Sequence, residues 1–264
     1  LEWMTNPQYR QTGLLVCAEL ATNAPSIFYS SVFNFLEAMW SCLVDKELTI
    51  RTAASVALRA CLAILSFRDI NYNIHEEHYL SLFAKAMGDL RRPPNIESIH
   101  GALLTLSELL QNSGSFLMKE DRFAQSAEVI IKNSNHSSKM IKRTVLSLFP
   151  IIAQHSPLDF CKFYLSNVME HLFIALKSTT ERQSAFLSMG QVAIAIKSTD
   201  ELLQYLPKIA IMTKQAIGIG KGKSPIFSTE SLQFIAMLGE AVGPACEAFI
   251  REILDQLFAQ RLSH

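Results

Sequence analysis

The string Gly218-Ile219-Gly220-Lys221-Gly222-Lys223-Ser224 is the part of the chain most like a catalytic signature. A Gly-Lys-Ser ending brings backbone amides, an ammonium and a hydroxyl onto the phosphates of a nucleotide. Its register is wrong for that work: the first glycine of such a loop belongs five residues before Gly222, where Ile217 stands, and the preceding phrase is helical instead of a strand. A flexible basic loop, usable as a contact surface, fits better; an enzyme with a nucleotide site at 218–224 is the alternative from another class. His75-Glu76-Glu77-His78 brings two imidazoles within one turn, but at an interval of three, whereas zinc-protease helices need four and a third ligand. Polarity at a helix start is the expectation. Asp159-Phe160-Cys161 lacks the glycine of a kinase metal-binding turn, and neither a His-Arg-Asp string nor a glycine-rich kinase loop accompanies it. Asn135-His136-Ser137 fits a glycosylation acceptor, yet the N-terminus lacks the basic, apolar, small-residue order of a secretory signal, so it reads as a loop.

Composition narrows the remaining chemistry. Cys17, Cys42, Cys61, Cys161 and Cys246 are odd in number, widely spaced and set in apolar phrases, so they read as buried thiols of a reducing compartment, with no zinc-site spacing and no cofactor implied. Lys plus Arg and Asp plus Glu are each 24, giving zero net charge without any block of like charges, which argues against a nucleic-acid partner. The densest basic spots are Arg91-Arg92, Lys139 with Lys142-Arg143, and Lys221 with Lys223. Each reads as a solvated helix end or loop, and these seven residues are also the candidate protein-contact patches. No apolar run reaches the 18 or so residues that span a bilayer, so no transmembrane segment and an intracellular location are expected. The chain starts at Leu1 and ends just after a helical phrase, as a piece of a longer protein would.

The elements that must position these residues repeat. A helical phrase with a small or short apolar residue at one place returns at Gly13, Ala54, Gly101, Val145, Ala185 and Leu232, at intervals of 41, 47, 44, 40 and 47 residues. That period is the signature of HEAT or armadillo arrays. Arg10-Gln11-Thr12-Gly13, Arg51-Thr52-Ala53-Ala54 and Arg182-Gln183-Ser184-Ala185 share an Arg-x-x-small core. Apolar residues at Ile50, Ala53, Ala54, Ala57, Leu58, Cys61, Leu62 and Leu65 form one stripe, which must be buried.

First helices are expected near 7–22, 47–66, 95–112, 137–154, 180–197 and 226–242, and second helices near 26–43, 75–90, 116–132, 158–177, 200–216 and 244–261. Asp45, Asn95, Ser137, Thr179 and Thr199 are candidate N-caps. Pro150 and Pro207 lie inside apolar phrases, where a kink or a split helix is expected. Trp3, Phe28, Tyr29, Phe33, Phe35 and Trp40 enrich the first repeat in aromatics, as core packing with part left for a neighbour or partner. The fold expected is an all-α HEAT-repeat α-solenoid of about six antiparallel helix pairs, a single continuous array with approximate repeats 1–45, 46–92, 93–135, 136–178, 179–218 and 219–264.

Four strings carry a more specific likeness: 50–62 (Ile50-Arg51-Thr52-Ala53-Ala54 onward), Ile99-His100-Gly101-Ala102-Leu103-Leu104, Glu181-Arg182-Gln183-Ser184-Ala185-Phe186, and Met237-Leu238-Gly239-Glu240-Ala241-Val242-Gly243-Pro244. In this order and spacing they resemble the N-terminal HEAT region of the target-of-rapamycin (TOR) kinases, members of the phosphatidylinositol-3-kinase-related protein kinases. The resemblance implies a non-catalytic scaffold of a serine/threonine kinase that controls growth in response to nutrients, cytoplasmic and peripheral on vacuolar, lysosomal or other endomembranes. It implies as partners a second TOR protomer and a Raptor-type or Rictor-type subunit. It also implies that the kinase loops, the rapamycin-binding segment and the docking site of the small β-propeller subunit lie elsewhere, and that the stretch after Ser113 is short beside animal members. A generic HEAT adaptor, such as a transport receptor or phosphatase scaffold, is the alternative that the four strings oppose.

Overall fold

The structure, a computed structural model, describes residues 6–68, 76–197, 200–218 and 226–261. Among the described residues every regular element is helical. The first pair is α1 (Pro7–Asn23) with α2 (Pro25–Phe28) and α3 (Val32–Leu43); the second is α4 (Leu48–Arg68) with α5 (Glu76–Arg91); the third is α6 (Ile96–Asn112) with α7 (Arg122–Lys132). Then come α8 (Lys139–His155) with α9 (Pro157–Asp159) and α10 (Leu165–Lys177), α11 (Arg182–Ala195) with α12 (Leu206–Ile217), and α13 (Thr229–Val242) with α14 (Glu247–Arg261). This is the paired-helix order of an all-α HEAT solenoid. The chain gathers into two compact units, Leu1–Thr144 and Val145–His264.

Helix starts follow local chemistry. Asn6 Oδ1 accepts the Gln8 amide at 2.9 Å, Asn95 Oδ1 accepts the Ser98 amide at 2.7 Å, and Ser228 and Ser231 form a reciprocal capping box. Of the expected caps, Asn95 acts as one. Asp45 instead accepts the Glu47 amide at 2.9 Å, and the Glu47 carbonyl opens the ladder of α4. Ser137 and Thr179 fall ahead of their helices, whose first carbonyl acceptors include Ser138 and Glu181 respectively, and Thr199 lies outside the described residues.

The two internal prolines behave differently. Pro207 sits in the first turn of α12, after a 3-10 segment at Asp200–Tyr205, so the phrase is split there. Pro150 does not split its helix: α8 runs unbroken through it. A proline at 150 leaves the carbonyl four residues back, at Leu146, without its helical donor. The buried Ser188 hydroxyl of α11 donates to that carbonyl at 2.6 Å, so the group is satisfied across the helix pair.

In the first unit α1 packs on α4, α3 on α4 and α6, and α4 and α5 on α6. Ala53, Ala54 and Ala57 keep the buried face of α4 low, and Ala102 does the same beside Gly101 on α6. A Cβ at Gly101 would stand 2.0 Å from the Leu43 carbonyl oxygen, so only glycine lets the last turn of α3 rest on α6. The repeat anchors Ala54, Gly101, Val145 and Ala185 are buried, as the periodicity requires. Gly13 and Leu232 are exposed, and their neighbours Leu14 and Ser231 are buried instead, so the first and last phrases are offset by one residue.

In the second unit α10 packs on α11 and α11 on α13, around fully buried Phe149, Phe160, Phe186 and Phe234. Phe186 and Phe234 join α11 to α13 with ring centroids 5.6 Å apart. Among the described residues α4 alone is long and apolar enough to cross a membrane. It is the core helix of the first unit, with Ile50, Leu58, Leu62 and Leu65 fully buried.

Gly101→Ala is expected to lower stability by about 1–3 kcal/mol through overpacking against the Leu43 backbone. Gly13→Ala, where a Cβ meets nothing within 4 Å, is expected to raise it by up to about 1 kcal/mol through helix propensity. Urea unfolding followed by circular dichroism reads both; equal effects at the two glycines would refute the close contact.

Candidate functional site

Arginines at the starts of three helices close corners of the array in one way. Arg51 Nη1 donates to the Asp45 carbonyl at 2.6 Å, Arg122 Nη1 to the Phe116 carbonyl at 3.2 Å, and Arg182 Nε to the Leu176 carbonyl at 3.0 Å. Each reaches six residues back to a carbonyl at a corner; the Phe116 carbonyl also accepts the Lys119 amide at 3.4 Å. At Arg51 and Arg182 the Arg-x-x-small phrase is therefore a corner staple, and Arg122 does the same outside that phrase. Arg10, its counterpart in the first repeat, bonds the buried Asp45 carboxylate at 3.0 Å, so both faces of Asp45 tie the first two repeats together.

A polar seam runs along the contact of α4 with α6. Arg51, Ser55 and Arg59 recur every four residues on α4 and therefore share one face, while His100 and Glu108 stand two turns apart on α6. Arg51 Nε donates to His100 Nδ1 at 3.0 Å. Glu108, 1% exposed, accepts from Arg59 Nε and Nη2 at 3.0 and 2.9 Å and from the Ser55 hydroxyl at 3.0 Å. Asn112 Nδ2 adds a fourth bond at 3.3 Å. Burial and the charge of Arg51 lower the His100 imidazole to about 4, so it is neutral at pH 7 and its Nδ1 is free to accept.

The loop after Ser113 carries a second charged cluster. Glu76, at the start of α5, receives Lys119 Nζ and Arg122 Nη1, each at 3.1 Å, and the Arg122 guanidinium lies 4.3 Å from the centre of the Phe116 ring. These two cations hold the Glu76 carboxylate below the usual range. Glu120 and Asp121 are both left-handed, at φ 52° and 56°, which aims Arg122 back into the loop.

The residues singled out by chemical type scatter accordingly. Of the His-Glu-Glu-His string, His75 lies outside the described residues, Glu76 is spent on the loop, and His78 stacks on Phe33 at 4.5 Å. No metal-binding group of side chains occurs among the described residues. Asp159 accepts the Ser156 hydroxyl at 2.7 Å, and Asn135 closes a 3-10 turn followed by a bond from the Ser138 amide to His136 Nδ1. Gly218 ends α12 in the left-handed conformation at φ +91°, so a helix and not a strand leads into the glycine-rich string; Lys221 and Lys223 lie outside the described residues.

Arg91, at the end of α5, donates to Gln125 at 3.0 Å, Arg92 is exposed just beyond it, and Lys139, Lys142 and Arg143 occupy the first turns of α8. None of the five cysteines forms a disulfide among the described residues. Cys61 and Cys246 are buried, and burial pushes Cys61 up to about 12; Cys17, Cys42 and Cys161 are only half-buried, against the expectation for all five. The first-repeat aromatics engage one another and nearby cations, with Phe28 on Phe35 at 5.7 Å and the Arg68 guanidinium 4.2 Å from the Tyr29 ring centre; Trp3 lies outside the described residues.

One feature of the second unit has no sequence signature at all: a groove of about 610 Å³ over the first helices α8, α11 and α13. Ser147, Pro150, Ile151 and Gln154 line it from α8, Gln191, Ile194 and Ala195 from α11, and Met237 from α13. Groove, seam and staples together define a protein of the HEAT-type α-solenoid class.

Comparison with known proteins agrees and goes further. No protein-family model matches the chain. The chain is 33% identical to the serine/threonine-protein kinase TOR of Arabidopsis thaliana over 97% of its own length and 10% of that protein's. The rice kinase TOR, from Oryza sativa subsp. japonica, matches at the same identity and the same coverage of each chain. Among solved structures, the karyopherin Kap121p bound to the SUMO protease Ulp1p superposes with a TM-score of 0.65, covering 98% of this chain and 28% of that one, at 15% identity, a likeness of fold alone. The chain spans about a tenth of the length of the TOR kinases it matches, and that stretch is an all-α solenoid.

The neutral His100 makes stability depend on pH with a definite sign. Unfolded, it titrates near 6.5; folded, near 4, so between these values the unfolded chain holds the extra proton. Its contribution is complete above about pH 6.5 and is lost as the pH falls toward 4, by up to about 2–3 kcal/mol. His100→Asn keeps an acceptor for Arg51 without titrating, and is expected to flatten this part of the pH dependence when urea midpoints near pH 7 and near pH 5 are compared with wild type.

Proposed function

We propose that this segment is a scaffold within a TOR-like serine/threonine protein kinase, mediating dimer and complex assembly and binding a regulatory subunit of the Raptor or Rictor type in nutrient and growth signalling. The observation that carries the reading is the similarity to TOR kinases over nearly the whole chain, on a fold whose stacked pairs offer extended faces instead of a catalytic pocket. The generic adaptor reading rests on fold alone at 15% identity, and a nucleotide site at 218–224 is opposed by the helix that leads into it. In the cell the segment is placed with its complex, peripheral to vacuolar, lysosomal or other endomembranes.

Because several repeats contribute to such a surface, no single residue should dominate affinity. The chain, immobilised and shown to be helical, is expected to capture a purified Raptor-type or Rictor-type subunit or a longer TOR protein over an unrelated HEAT phosphatase scaffold. Charge reversal at Arg91 and Arg92 together, or at Lys139, Lys142 and Arg143 together, is expected to weaken capture without abolishing it. Capture of the control as strongly as of the TOR components would contradict the proposal.

A further inference from the structure

We infer that the groove over α8, α11 and α13 receives an extended, uncharged peptide segment of a partner protein. This deepens the scaffold reading and rests on it. The groove volume of about 610 Å³ lies within the range of binding clefts. Adjacent helix axes stand 8–10 Å apart, so three first helices span about 20 Å, which an extended chain crosses in about six residues at 3.3 Å each.

The lining chooses among occupants. Gln154 lines the groove from α8 and Gln191 from α11, both exposed, and each amide carries both a donor and an acceptor, the complement of a peptide unit. An extended segment brings unpaired backbone N–H and C=O groups to such amides, whereas a helix has already satisfied its own. Beside the glutamines and Ser147 the lining is apolar, made by Pro150, Ile151, Ile194, Ala195 and Met237. None of the eight lining residues carries a formal charge, so a charged side chain seated there would be desolvated without a partner, and an apolar one is preferred. The walls are set before binding: the Ser188 hydroxyl on the Leu146 carbonyl ties α11 to α8 beneath Pro150, which reduces the ordering cost of association.

The test uses the full 264-residue chain. A phage-displayed library of random ten-residue peptides is panned against it, and the selected peptides, labelled with fluorescein, are titrated by anisotropy into wild type, Gln154→Ala, Gln191→Ala and the double variant. Both glutamines are exposed, so these variants are expected to keep the wild-type circular dichroism. Selected peptides should be uncharged and apolar at their centre and remain non-helical when bound, and the double variant should weaken them at least about tenfold, the loss of two hydrogen bonds. Failure to enrich any peptide, enrichment of charged or helix-forming ones, or equal binding to the double variant would overturn the assignment. Capture of Raptor-type or Rictor-type subunits is measured in parallel: if it persists while no peptide is selected, the groove is wrong and the scaffold reading stands, and the reverse pattern separates them the other way.

Discussion

Two ionic groups are buried where α4 meets α6, and burying an unpaired charge is among the costliest things a fold can do. Glu108 and Arg51 are 1% and 2% exposed, yet each has its partners, drawn from the neighbouring repeat. Breaking such an arrangement by removing one partner typically costs about 3–5 kcal/mol, because the other charge stays buried. The arrangement therefore admits one register of α4 on α6. A slip of α6 by one turn would carry Glu108 away from Arg59 and Ser55 and His100 away from Arg51, and would move Gly101 from beneath the Leu43 carbonyl, where no side chain fits. Apolar burial drives the helices together, and the seam determines how they meet.

The same logic extends to the corners. A solenoid must turn twice in every repeat, and each turn strands carbonyls that no amide of the ladder reaches. Arg51, Arg122 and Arg182 supply long, permanently charged donors to carbonyls at the corners, and Ser188 serves the one that Pro150 strands. Rigid corners fix the faces between them. A face held in this way can present groups from successive helices at constant spacing, which a protein surface needs if it is to recognise partners without a catalytic centre. The reading of the segment as a TOR-type scaffold joins this mechanical property to the sequence similarity.

Helix positions, pairing and the buried stripe of α4 were all legible in the sequence, because a period of 3.6 and a repeat near 44 residues are dictated by burial alone. Details that depend on a second helix were not. The periodicity makes Gly13 and Gly101 equivalent anchors, but only Gly101 has a neighbour's backbone against it. Pro150 is a helix breaker by local rules, and what keeps α8 whole is a serine 38 positions later in the chain, on another helix. The His-Glu-Glu-His string drew notice for its imidazoles, whereas its working member is Glu76, whose partners Lys119 and Arg122 lie more than 40 residues away, just before α7 and at its first residue. The groove glutamines were invisible for a similar reason: an exposed glutamine has no pattern until the neighbouring helix is placed.

Hydrogen–deuterium exchange of the chain, alone, with a purified Raptor-type or Rictor-type subunit, and with ATP, tests the central claim that several repeats act together as a binding surface. The account predicts that a TOR regulatory subunit slows exchange in segments from at least two repeats at once, while ATP changes nothing. Protection by ATP around 218–224, or no protection by either subunit in a chain that stays helical, would contradict it.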